Sequence, residues 1–139
     1  MNDANGVAPA PYRILVVDDE PDLELLVRQK FRKRIKEGEL EFVFAHNGQE
    51  ALDCLNADPT IDIVMSDINM PVMDGKETLV KIRNDQRLQS VPIFILSTSN
   101  DAKEVDTCRK LGATMWLVKP SSFWELVGYL RLVFSQSWL

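Results

Sequence analysis

Four short apolar runs in this chain end on side chains able to handle charge. ILVV at 14–17 leads into Asp18, Asp19 and Glu20, and IDIVMS at 61–66 into Asp67. VPIFIL at 91–96 leads into Ser97, Thr98 and Ser99, and MWLV at 115–118 into Lys119 and Pro120. If the first and third runs lie side by side, Asp18, Asp19 and Asp67 converge. Two carboxylates about 4 Å apart repel by about 4 kcal/mol at an effective dielectric near 20. Three together must hold a proton or bind a cation. An all-oxygen donor set with room for water suits Mg2+ better than Zn2+. A lysine and a hydroxyl do not help to bind a bare cation; they serve an anion that bridges to it, and a phosphoryl group is such an anion. Asp67, on the central predicted strand, can attack phosphorus to form an acyl phosphate. Ser97 and Lys119 would then hold the transferred oxygens.

The elements that must position these groups are legible in the patterning. Strands are expected at 13–17, 40–45, 61–66, 91–96 and 115–118. These runs are short, rich in Ile, Val, Leu and Phe, and mostly non-alternating, as strands buried on both faces are. Helical patterns fill 21–36, 49–56, 76–84, 102–111 and 123–135, with glycines and prolines at the element ends. Five strands alternating with five helices imply an α/β domain with a doubly wound parallel sheet. Ligands in such sheets bind beyond the carboxyl ends of the strands, where the polar groups gather.

Composition narrows the classes. A chain of 139 residues suits one domain. Its 16 basic and 21 acidic residues give a net charge of −5, which argues against a dedicated nucleic-acid binder. No apolar run could span a bilayer, and the N-terminal MNDANGVAPAP lacks the regions of a signal peptide. Residues 1–11 are expected to form a disordered tail, and 12–139 the domain. Cys54 and Cys108 lack CxxC spacing and are expected to be reduced thiols on helices of a cytoplasmic protein. One histidine, His46, makes a His/Cys zinc site a poor fit, and it lacks the helical context of a phosphodonor. Gly-rich nucleotide-binding fingerprints are missing.

LVVDDE at 15–20, SDINMPVMDG at 66–75, PIFILSTS at 92–99 and LGATMWLVKP at 111–120 together resemble the receiver domain of two-component response regulators, of the chemotaxis type. The resemblance covers about 12–135. It implies a flavodoxin-like sheet of strand order 2-1-3-4-5 with five helices. It implies that Asp67 is the phospho-acceptor, phosphorylated by a sensor histidine kinase or phosphotransfer protein. Asp18 and Asp19 would organise Mg2+, with Asp19, Asp67 and the backbone carbonyl of Asn69 as direct ligands. Ser97 would be the switch hydroxyl and Lys119 the lysine that pairs with the phosphoryl group. The Lys119–Pro120 peptide would be cis. Trp116 falls where the family usually carries Tyr or Phe, the aromatic that swings inward on activation; a tryptophan there is a departure. The resemblance also implies that Asn69 and Ser99 occupy positions that tune dephosphorylation in the family. The implied protein is a phospho-acceptor switch, not an enzyme in the ordinary sense.

Other readings of the same residues compete. Asp18–Glu20 could cap the following helix, and Ser97 and Thr98 could be turn residues. Trp116 could be plain core, and Lys119 a surface lysine. The basic run 28–36 reads as a solvated helix face, or as a local site for an acidic partner. In the last predicted helix Phe123, Leu126, Val127, Leu130, Val133 and Phe134 share one face. Trp124, Tyr129 and Leu132 point elsewhere, with Trp138 and Leu139 following. The face of the fourth predicted helix, fifth strand and fifth predicted helix is therefore expected to bind a protein partner or a second copy. The leading expectation is a stand-alone receiver with no DNA-binding output domain; a receiver cut from a larger chain is an open variant. A haloacid-dehalogenase-like hydrolase would need its second aspartate two positions after the first, where Glu20 stands. A flavodoxin-like cofactor binder would need a phosphate-cradling loop where the acidic cluster lies.

Overall fold

The computed structural model describes residues 11–68 and 73–118. Residues 1–10 of the expected tail, Asn69, and Lys119 with everything after it, including the predicted fifth helix, lie outside the described residues.

Strands β1 (Tyr12–Val17), β2 (Leu40–Ala45), β3 (Ile63–Asp67), β4 (Ile93–Ser97) and β5 (Met115–Val118) form one parallel sheet in the order β2-β1-β3-β4-β5. The helices are α1 (Pro21–Lys30), α2 (Arg32–Lys36), α3 (Gly48–Ala57), α4 (Gly75–Asn84) and α5 (Ala102–Lys110), with a 3-10 turn at Gln86–Leu88. Successive strand residues point to opposite faces, so the apolar runs supply two cores. Ile14, Val16, Phe42, Ile63, Met65, Phe94 and Leu96 pack on one face with Val27 and Phe31. Leu15, Val17, Val64, Ile93 and Ile95 pack on the other with Ala51, Leu55, Leu79, Ile82 and Cys108. Strands buried on both sides need non-alternating sequences, which these runs have.

Three elements differ from expectation by more than one residue at an end. The helix predicted over 21–36 divides at Phe31, whose φ of −105° and ψ of 18° depart from helical values. Like charges at i,i+4 (Arg28/Arg32, Lys30/Arg34, Arg32/Lys36) weaken the helix there. The buried Phe31 ring sits 5.4 Å from that of Phe42. Strands β3 and β4 start two residues later than expected and extend to Asp67 and Ser97. Backbone pairing is indifferent to side-chain polarity, so the ladder runs on through both polar residues.

Three helices start on acid or amide caps. Asn47, Asp74 and Asp101 accept from the backbone N–H of Glu50, Glu77 and Lys103 respectively. Arg83 closes the opposite end of the sheet. Its Nε donates to the Gly112 carbonyl at 2.8 Å, and its Nη1 to the Leu88 and Gln89 carbonyls at 2.8 and 3.2 Å.

Candidate functional site

The register explains how residues 49 apart in sequence meet. Val17 pairs with Ser66 across β1 and β3, so the residues that follow, Asp18 just past β1 and Asp67 at the end of β3, come to the same edge of the sheet. The Asp18 amide still follows the β2 direction, donating to the Ala45 carbonyl at 3.0 Å. One carboxylate oxygen from each of Asp18, Asp19 and Asp67 lies within 4.8 Å of the others. Asp18 and Asp67 are buried, at 5% and 7% exposure, while Asp19 is exposed. Two buried carboxylates and one exposed one form an all-oxygen donor set. A hard cation that keeps part of its water shell fits that donor set.

Asp18 does two things at once. Its Oδ1 accepts from the Glu20 amide at 2.8 Å, which fixes the turn into α1. This bond lies in the turn before the helix and does not cap it, so the capping reading of this acidic run fails for Asp18. Glu20, at the N-cap position, makes no side-chain cap hydrogen bond.

Ser97 is the last residue of β4, beside Val118 of β5 and one position past the Asp67–Leu96 pair. Its side chain is buried at 1% exposure, and its Oγ accepts from the Ser99 amide at 3.0 Å. The turn reading of Ser97 thus holds locally, and the turn presents the hydroxyl at the acidic edge. Thr98 points to solvent. Ser99 receives a second bond: the Trp116 indole Nε1 donates to its carbonyl at 3.1 Å. Trp116 also packs against the core on the α3–α5 face. Lys119 follows Val118 directly in sequence; it, the Lys119–Pro120 peptide and Asn69 lie outside the described residues.

In the sequence Gly75 is helix punctuation, yet in the fold it lies against the backbone that carries Asp67. A Cβ at this position would lie 2.6 Å from Ile68 Cα and 2.7 Å from the Asp67 carbonyl oxygen. The first turn of α4 thus rests on the backbone that carries Asp67, and the Gly75 amide donates to the Ile68 carbonyl at 2.8 Å. Beyond its place at the end of SDINMPVMDG, its sequence signal is an Asp-Gly pair, which marks many ordinary turns.

His46 takes no part in the cluster; its Nδ1 meets Glu50 at 3.2 Å on the surface. Burial pushes the thiols of Cys54 and Cys108 up from their usual range, which disfavours the thiolate. Both are free cysteines on helices.

An α/β domain whose C-terminal strand edge gathers two buried aspartates and one exposed one is the class that fold and site define. The chain belongs to the response regulator receiver domain family, whose model matches residues 14–131, and is thereby a receiver of two-component signalling. It is similar to chemotaxis protein CheY1 of Helicobacter pylori, 32% identical over 108 residues that cover 78% of this chain and 85% of that protein. It is also similar to two-component response regulator ORR11 of rice, 29% identical over 111 residues, covering 80% and 73%. Among solved structures, chemotaxis protein CheY4 of Vibrio cholerae superposes with a TM-score of 0.74 at 31% identity, covering 89% of this chain and 99% of that one. Among the described residues no helix is long and apolar enough to cross a membrane.

Proposed function

We propose that this receiver is switched by phosphorylation of Asp67, with the phosphoryl group arriving from a partner histidine kinase or phosphotransfer protein. The observation that carries the reading is the convergence of Asp18, Asp19 and Asp67 within 4.8 Å, with Asp18 and Asp67 buried. A carboxylate oxygen of Asp67 attacks phosphorus, the bond from phosphorus to the donor breaks, and the donor leaves with that electron pair. Asp18, Asp19, Asp67 and the Asn69 carbonyl would hold Mg2+, which supplies charge neutralisation for two anions brought together. Lys119 would pair with a phosphoryl oxygen through a charge-assisted bond. Ser97 gives up its bond from the Ser99 amide and turns its hydroxyl to the phosphoryl group. That change reaches Trp116 through Ser99, since both bonds end on the same residue. Asn69 and Ser99 would set how long the acyl phosphate survives. The surface that changes partners is the one expected from sequence, α5, β5 and the predicted helix 123–135. Met115 and Val118 of β5 are 47% and 37% exposed there.

The test is incubation with acetyl phosphate and Mg2+, followed by intact-mass measurement. A labile adduct is expected, absent without Mg2+ and absent in Asp67→Asn. An adduct that persists in Asp67→Asn would overturn the assignment.

A further inference from the structure

The basic run on α1 and α2 is not used by the acidic site. Residues 28–36 contain six of the chain's 16 basic residues and no acid, while the remaining ten are set among all 21 acidic residues. Arg28, Lys30, Arg32, Lys33 and Lys36 are exposed. Arg28 and Arg34 have carboxylate partners, Glu24 at 3.8 Å and Glu39 at 3.4 Å. Arg32, Lys33 and Lys36 make no ion pair among the described residues. One turn upstream, Leu25 and Leu26 are 60% and 38% exposed. The opposite side of the same helices is committed to the core through Val27, Phe31 and Ile35, so the outward face is fixed.

Position matters as much as charge. Helix α1 starts at the aspartate edge and runs back toward the start of β2. At about 1.5 Å per residue, Arg32 to Lys36 lie roughly 16–22 Å along the helices from Pro21. A ligand on this face therefore leaves the phosphorylation edge open.

We propose that the α1–α2 face docks an acidic protein segment carrying apolar side chains, and that it does so whether or not Asp67 is modified. The carboxylates meet Arg32, Lys33 and Lys36, and the apolar side chains meet Leu25 and Leu26. From Leu25 to Lys36 the patch spans only about 17 Å of helix. A short segment matches that length, whereas a nucleic-acid backbone or a lipid surface extends past it onto an acidic protein. Phosphate backbones also have no use for the leucines.

The test is fluorescence anisotropy of a labelled 14-residue peptide of alternating glutamate pairs and leucines, with the glutamine version of that peptide as control. Anionic phosphatidylserine vesicles and a 20-nucleotide RNA serve as further arms. The acidic peptide is expected to bind, to weaken at least tenfold in 300 mM salt, and to weaken at least tenfold in Arg32→Glu/Lys33→Glu/Lys36→Glu. The charge-matched Lys81→Glu/Lys103→Glu/Lys110→Glu variant, altered at exposed positions elsewhere, is expected to bind within twofold of the parent. Addition of acetyl phosphate and Mg2+ is expected to leave binding unchanged. Equal binding by both triple variants, or none by the parent, overturns the proposal. Patch-dependent binding of vesicles or RNA in preference to the peptide overturns the assigned occupant.

Discussion

The Trp116 indole N–H is bonded to the Ser99 carbonyl at 3.1 Å, and the Ser99 amide is bonded to the Ser97 hydroxyl at 3.0 Å. A phenylalanine or tyrosine ring has no donor at the indole nitrogen's place. Trp116→Phe is therefore expected to lower the unfolding free energy by about 1 kcal/mol, the net worth of a part-buried hydrogen bond. It should also speed amide exchange at Ser99 and Asp101. With Trp124→Phe and Trp138→Phe in place, the remaining Trp116 emission should change on acetyl phosphate addition, in step with the mass adduct. Emission that stays constant while the adduct forms would show that the indole does not follow the loop.

Asp18 separates a structural from a cation-binding role, because Asn keeps an Oδ1 acceptor for the Glu20 amide. Asp18→Asn should fold nearly as well as the parent yet bind Mg2+ on the order of tenfold more weakly, for about 1.4 kcal/mol of lost attraction. Asp18→Ala should show the same Mg2+ loss and also lose about 1 kcal/mol of stability. Calorimetric Mg2+ titration beside denaturant unfolding measures both. A normal Mg2+ affinity in Asp18→Asn would remove this residue from the cation site.

Much of the fold was legible because strands buried on both faces need continuous apolar runs, and helices packed on them need one apolar stripe. The candidate site was legible for the same reason: in such a sheet, polar residues at strand ends share one edge. The misses have a common cause. Val27, Phe31 and Ile35 keep a four-residue spacing, so the division at Phe31 leaves the apolar pattern intact. Arg83 reads as one more helix-surface cation, and only the folded chain brings Gly112, Leu88 and Gln89 to its guanidinium. Side-chain capture of loop carbonyls and close backbone approach have no periodicity to detect.

Arg83→Ala should cost about 2–3 kcal/mol, since three carbonyls lose a charged donor and burial already weighs on this guanidinium. Arg83→Lys should recover only part of it, because a point ammonium cannot reproduce the planar fork. Chemical denaturation of the two variants checks this. Full recovery by lysine would mean that charge alone, not the fork, holds these loops.

Acid should reveal the clasp at Asp58. The Thr60 hydroxyl and amide, at 2.5 and 2.9 Å, hold its carboxyl below the usual range, and Arg13 adds to this against the opposing effect of burial. A lowered folded-state value means stability that is present above the unfolded value of about 3.9 and is lost as pH falls through the folded one. Asp58→Asn should therefore cost about 1 kcal/mol at pH 7, with the gap to the parent closing below about pH 4. A gap that stays constant from pH 7 to pH 3 would count against the ionised clasp.

Two glycines should give opposite signatures. Gly75→Ala places a Cβ 2.6 Å from Ile68 Cα and 2.7 Å from the Asp67 carbonyl, both backbone atoms that no side-chain rotation can clear. Either the first turn of α4 or the end of β3 must move, at a cost of about 1–3 kcal/mol. A displaced β3 end carries Asp67 with it, so the rate of adduct formation from acetyl phosphate should fall several-fold. Gly38→Ala meets nothing within 4 Å, but it forces an L-residue to a φ of +77°. That costs about 1–2 kcal/mol of backbone strain, at the far end of the sheet from the aspartates. Its stability should drop while its phosphorylation rate stays that of the parent. A comparable rate loss in both variants would mean that the rate follows global stability; a loss confined to Gly75→Ala ties it to the seating of α4 on Asp67.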